Sequence, residues 1–118
     1  MSGPDELIDR YCAVWGETDA RGRADKLDTV WAHGATYTDP TVHAAGAEEL
    51  LAHIAGVQKR RPNSKVVRTT GVDVHHAIGL FSWQAVDACG AMLRQGIDIV
   101  FFSADGAKID RVIGFFTR

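Results

Sequence analysis

Cysteine is scarce in this chain. There are two, Cys12 and Cys89, too few for a disulfide scaffold and wrongly spaced for a metal site. Cys12 falls on the apolar side of an expected helix, where a reduced thiol behaves as a small hydrophobe. A reducing cytoplasm is the natural setting, with a Cys12–Cys89 bond as the alternative. An excess of positive charge is also missing: 13 Lys and Arg stand against 15 Asp and Glu, for a net charge of −2. That balance argues against a nucleic-acid partner. No apolar run approaches the length of a membrane span, and the polar, acidic start from Met1 to Glu6 does not read as a signal peptide. Phosphate loops, nucleotide fingerprints and Gly-x-Ser-x-Gly elbows are absent from the sequence. No organic cofactor and no metal is expected.

The chain does carry enough apolar residues for a core. Its 118 residues, 46% hydrophobic and 24% charged, suit a single domain over 1–118 that needs no staples. Pro4 fits a first helical position, followed by acidic Asp5 and Glu6. Leu7, Ile8, Tyr11, Cys12 and Trp15 then form a helical stripe. A second helix is expected from about Ala20 to Ala32, with Leu27, Val30 and Trp31 on one side and Gly34 ending it. Ala35 to Asp39 reads as a short strand closed by Pro40. A third helix begins near Ala47, and Leu50, Leu51, Ile54 and Val57 form its stripe. Lys59-Arg60-Arg61 falls at its C-terminal end, where the helix dipole accounts for positive charge. Pro62 stops it.

After Pro62 the period changes to two. Strands are expected over 66–74, Leu80 to Val86, Ala91 to Ser103 and Ala107 to Phe116, with Asp105-Gly106 as a hairpin turn. Three helices followed by such strands give an α+β plan with an antiparallel sheet. Ile97, Ile99 and Phe101 are apolar, and so are Val100 and Phe102 on the opposite face. A sheet apolar on both faces needs cover on both. Helices cover one, and a second subunit is the expected cover for the other.

Three polar residues fall where the pattern expects burial. Tyr11 lies inside the first helix's stripe, and its hydroxyl needs a partner if buried. Asp39 shares a strand face with Ala35 and Tyr37 and precedes Pro40, which holds it extended. Asp98 lies among Ile97, Ile99, Val100 and Phe101, where a carboxylate must be paired, hydrogen-bonded or protonated. Each has a structural alternative. Tyr11 can be an ordinary core tyrosine, Asp39 can simply start a turn, and Asp98 can pair with Arg94 or Arg111. His75 and His76 fall at an expected turn, His75 to Gly79, and take no role; adjacent residues in a strand face opposite ways, so a shared metal is not expected. His33, His43 and His53 have no fitting partner spacing.

Asp9-Arg-Tyr-Cys-Ala-Val-Trp15, Ala35-Thr-Tyr-Thr-Asp-Pro40, Gly96-Ile-Asp98, Asp105-Gly106 and Ile113-Gly-Phe-Phe116 together resemble the nuclear transport factor 2-like superfamily. Within it, SnoaL-like polyketide cyclases and ketosteroid isomerases are the most similar. The resemblance covers nearly the whole chain in element order. It implies a cone-shaped barrel, in which a strongly curved antiparallel sheet packs on three helices around one apolar pocket, and a homodimer through the sheet. It also implies catalytic roles for Tyr11, Asp39 and Asp98: a hydrogen-bond donor, a base, and a protonated acid beside the donor. That chemistry is the general example of a neutral carboxylic acid in an oxyanion hole. Trp15, Trp31, Tyr37, Phe81 and Trp83 are expected to border the pocket and bind a small apolar substrate. The implied activity is cofactor-independent isomerisation or cyclisation through an enolate. The alternative is a pocket of the same fold that binds a small ligand without chemistry.

Overall fold

The computed structural model describes residues 3–117; Met1, Ser2 and Arg118 lie outside the described residues, and with them the first part of the polar start. Helix α1 runs Pro4–Gly16 with proline in its first turn and buries Leu7, Ile8, Tyr11, Cys12, Val14 and Trp15. Asp19 caps α2, Ala20–Asp28, by accepting from the Gly22 N–H at 2.8 Å. The buried Arg23 turns back to the carbonyl of Glu17 and holds the α1–α2 corner.

The second helix is shorter than the sequence predicts. It ends at Asp28, and Trp31 opens strand β1, Trp31–Asp39. Thr29 caps the carbonyl of Lys26 with its hydroxyl, and the β-branched and aromatic run Thr29-Val30-Trp31 prefers a pleated surface to another helical turn. Gly34 therefore ends no helix. It sits within β1 at φ +78, where the pairing register shifts between Trp31 and Thr36, as a bulge allows.

Strand β2, Val42–Ala45, precedes α3, Ala47–Arg60, whose first turn carries Glu48 and Glu49 and whose last carries Lys59 and Arg60. The expected strand over 66–74 is broken into β3, Lys65–Arg68, and β4, Asp73–His75. Strands β5, Ile78–Val86, β6, Met92–Phe102, and β7, Ile109–Phe116, follow. Among the described residues the sheet has seven strands in the order β2-β1-β7-β6-β5-β3, with β4 also on β5. It is mixed rather than wholly antiparallel: β1 runs parallel to β7, and the other pairs are antiparallel. The sheet curls but keeps free edges, so it does not close into a barrel.

Helix α1 packs against β3, and α3 against β1 and β2. Tyr11, Trp15, Trp31, Tyr37, Phe81 and Trp83 lie in the core beneath them with Leu50, Ile54, Val100 and Val112. The other sheet face is left uncovered in the single chain. Cross-strand neighbours Leu80, Ile99 and Ile113 share it with Ile97 and Phe115, and Leu80 and Phe115 are 45% and 54% exposed. Cys12 is buried, Cys89 is exposed, and both are free. No helix among the described residues is long and apolar enough to cross a membrane.

Candidate active site

Two glycines lie against side chains that border a cavity, Trp83 and Asp98. Gly96 on β6 pairs with Trp83 on β5. A Cβ there would meet the Phe115 carbonyl oxygen and would lie 2.5 Å from Trp83 Cζ2. Only a residue without a side chain lets the indole lie across that point. So placed, Trp83 donates its Nε1–H to Asp98 Oδ1 at 2.8 Å. Gly114 on β7 pairs with Asp98. A Cβ there would lie 2.9 Å from Asp98 Oδ1, 3.5 Å from Asp39 Cβ and 3.7 Å from the Tyr37 hydroxyl. Strand β7 lies between β1 and β6, so the two aspartates come in from either side and meet over one bare backbone position.

Asp39 is held by three donors. The Tyr37 hydroxyl donates to Oδ2 at 2.7 Å, and the Thr41 N–H and hydroxyl both donate to Oδ1 at 2.7 Å. A carboxylate offers about four acceptor positions, so about one stays open. Burial pushes the Tyr37 phenol far above its usual range, and the nearby Tyr11 and Asp39 add to that.

Asp98 is 6% exposed. Burial pushes its carboxyl up to about 7; the Trp83 hydrogen bond opposes this and the charge of Asp39 adds to it. The alternative ion pair does not form: the Arg94 guanidinium stacks over Phe116 at 4.2 Å and that of Arg111 over Phe101 at 5.6 Å. Tyr11 is 1% exposed, and its hydroxyl has no hydrogen-bond partner among the described residues. Burial raises its phenol well above the usual value and the charge of Asp98 raises it further, against an opposing effect of the nearby Trp15 indole, which is not in hydrogen-bond geometry with the hydroxyl. An orphaned buried hydroxyl is costly, and a ligand oxygen in the cavity would satisfy it.

The cavity has a volume of about 280 Å³, and Tyr11, Trp15, Tyr37, Asp39, Trp83 and Asp98 all border it. Trp31 and Phe81 do not. Trp31 lies behind Tyr11, stacked on it at 5.9 Å and 11°, because it enters from a strand rather than from α2. Phe81 shares a strand face with Trp83 but lies deeper, fully enclosed in the core.

His53 also borders the cavity, and the sequence reading gave it no role. It falls on α3 three residues after Leu50 and four before Val57, on the buried side. Its ring stacks on Tyr37 at 6.1 Å and meets Trp15 edge-on at 5.8 Å. Burial lowers its pKa, with Asp39 opposing and Arg60 assisting, so the imidazole is neutral near pH 7. Gln58 was also missed. Its buried amide donates to the carbonyls of Trp15 and Ser64 at 2.7 and 2.9 Å, tying α1, α3 and the start of β3 around the mouth. The helix-interior spacing of His53 was the only signal for the first; Gln58 gave none.

His75 and His76 do not splay apart. His76 has φ 51, which brings the two Nδ1 atoms to 3.1 Å. Among the described residues no group of three His, Cys, Asp or Glu gathers as a metal site requires.

No protein-family model matches the sequence, and no curated protein matches it. Solved structures do. A candidate isomerase of the SnoaL-like family from Agrobacterium tumefaciens superposes with a TM-score of 0.86 at 28% identity, over 95% of each chain. A candidate SnoaL-like polyketide cyclase from a Jannaschia species gives 0.68 at 18% identity, over 98% of this chain and 90% of that one. A protein with a ketosteroid isomerase-like fold from Catenulispora acidiphila, in complex with trimethylamine, gives 0.71 at 16% identity, over 98% and 88%.

Proposed function

With the nuclear transport factor 2-like fold as the premise, we propose that this protein is a cofactor-independent isomerase or cyclase that works through an enolate. The observation that carries this reading is the Tyr11 hydroxyl, buried at the cavity without a partner while Asp98 beside the same cavity is pushed toward its neutral form. A substrate ketone oxygen placed there accepts hydrogen bonds from Tyr11 and from protonated Asp98. Asp39 removes the proton next to the carbonyl. Charge developing on the oxygen is stabilised by the two donors, which a dry site makes more effective. With a β,γ-unsaturated ketone the enolate is conjugated, and Asp39 returns the proton to the γ-carbon, giving isomerisation; with a polyketide substrate the enolate carbon attacks a second carbonyl of the same molecule, and Asp39 returns the proton to the new alkoxide as the ring closes. The division of labour rests on two aspartates in different surroundings, one hydrogen-bonded at the edge and one dry.

Support comes also from the likeness to a candidate isomerase and a candidate cyclase. We propose further that the uncovered sheet face pairs with a second copy. The two unpaired cysteines support a cytoplasmic setting.

A panel of cyclic and linear ketones in deuterated water, followed by exchange of the α-proton, tests the oxygen-binding half. Tyr11→Phe should slow exchange by roughly a hundredfold while ligand binding stays mostly intact. Unchanged exchange in that variant would remove Tyr11 from the mechanism. A non-catalytic binder of the same fold is the second reading, favoured by tight ligands that exchange no proton.

A further inference from the structure

Arg60, Arg61, Lys65 and Arg94 all border the cavity, together with His53, Asp39 and Asp98. The four cations come from three separate parts of the chain. Arg60 and Arg61 end α3, Lys65 begins β3, and Arg94 stands on β6 opposite Ala85. None of them has a salt-bridge partner among the described residues, where the ion pairs are Lys26–Glu17, Arg68–Asp5 and Arg68–Asp9. Nor does any of their side chains enter a side-chain hydrogen bond there, although Arg23 and Arg68 do.

The helix dipole explains positive charge at the end of α3, but it does not explain where these side chains go. The Arg60 Nη1 lies 3.4 Å from the Cβ position of Gly56, one turn back along α3. It is near enough to His53 to disfavour that ring's proton. The guanidinium therefore folds back along the cavity side of the helix. From β6, Arg94 places its guanidinium carbon over the Phe116 ring at 4.2 Å, and Phe116 also borders the cavity. A guanidinium fixed on an aromatic face keeps its N–H edges free for a planar anion.

We infer that the ligand of this cavity carries an anionic group, a carboxylate in the simplest case, that seats on Arg60, Arg61 and Arg94 at the mouth while its apolar part enters between Trp15 and Trp83. This deepens the enolate reading above by naming the substrate class, a keto acid rather than a neutral ketone. A planar carboxylate matches the fork of an arginine with two parallel hydrogen bonds. The cations also offset the repulsion that Asp39 would exert on an incoming anion. A charge anchored at the mouth leaves the carbonyl of a compact keto acid inside the cavity, at the end where Tyr11, Asp39 and Asp98 gather.

The test is calorimetric binding of β-benzoylpropionate and of its uncharged isostere, β-benzoylpropionamide. Wild type is compared with the Arg60→Gln/Arg61→Gln and Arg94→Gln variants. These three arginines are exposed, and retained binding of the amide shows that the variants are folded. The acid should bind wild type tighter than the amide by about tenfold or more. That preference should shrink in each variant and weaken as salt rises. Equal affinity for acid and amide, or a preference unmoved in both variants, overturns the inference. Proton exchange on the same ligands separates the two proposals. Preference for the acid without exchange supports the anion site and removes the enolate chemistry. Exchange without preference does the reverse.

Discussion

Trp83 donates its indole N–H to Asp98 Oδ1 at 2.8 Å, and both side chains are buried. The bond exists because Gly96, directly across the ladder from Trp83, has no side chain to hold the indole off. It makes Asp98 a carboxyl with one oxygen fixed by a neutral donor and no cation beside it. Such a group is easier to keep protonated than one in an ion pair.

The proton on Asp98 sets a pH dependence of stability. Its pKa is about 7 in the folded chain against 3.8 as the ordinary value. Between those limits the folded state holds the extra proton, so stability falls as pH rises. The contribution is complete below 3.8 and is lost as pH climbs through about 7. Asp98→Asn has no proton to lose. Relative to wild type it should gain in melting temperature steadily across that window, read by thermal unfolding at a series of pH values. Parallel curves for the two proteins would show that Asp98 ionises normally.

Gly114 gives a second check on the site. An added methyl would lie 2.9 Å from Asp98 Oδ1 and 3.5 Å from Asp39 Cβ. The Asp98 carboxyl must shift, since the first contact is shorter than real methyls make, whereas the second is ordinary van der Waals contact. Gly114→Ala should cost about 1–3 kcal/mol of stability, as overpacking does, and should lower turnover more than ligand binding. Denaturant melts and exchange kinetics measure both. Unchanged exchange would mean that the spacing of the two aspartates does not matter.

Much of this was legible in the sequence, for identifiable reasons. The stripe of α1 and the alternation of β5 to β7 have strong periods, so those elements and the burial of Tyr11, Trp83 and Asp98 could be read directly. The α2–β1 boundary could not. Val30 and Trp31 fit a helical stripe as well as a strand, and what decides is the pairing of Trp31 with Ile109, far along the chain. The same long-range pairing makes β1 parallel to β7, which no local pattern encodes. Trp31 therefore lies behind Tyr11, not at the cavity where a helical placement would put it. The helix dipole accounts for Arg60 and Arg61 in the sequence, because a sequence shows that a helix ends, and not which side its last side chains take.

The uncovered sheet face predicts an assembly. Leu80 and Phe115 stand 45% and 54% exposed beside Ile97, Ile99 and Ile113, a contiguous apolar surface of the kind that marks an interface. Sedimentation of wild type should show a dimer. Leu80→Lys with Phe115→Glu should shift it to monomer at micromolar concentration without unfolding the chain, because both side chains point away from the core. A wild-type monomer at high concentration would contradict the pairing.

The central claim is that Asp39 takes a proton from carbon. It is tested most directly by α-proton exchange in deuterated water, with wild type and Asp39→Asn side by side on the same panel of ketones and keto acids. Asparagine keeps one acceptor oxygen for the two Thr41 donors and turns its Nδ2–H toward the Tyr37 hydroxyl, which can accept, but it is no base. The account predicts sustained exchange by wild type on at least one member of the panel and its loss in Asp39→Asn with ligand binding retained. Exchange by Asp39→Asn at the wild-type rate would contradict it.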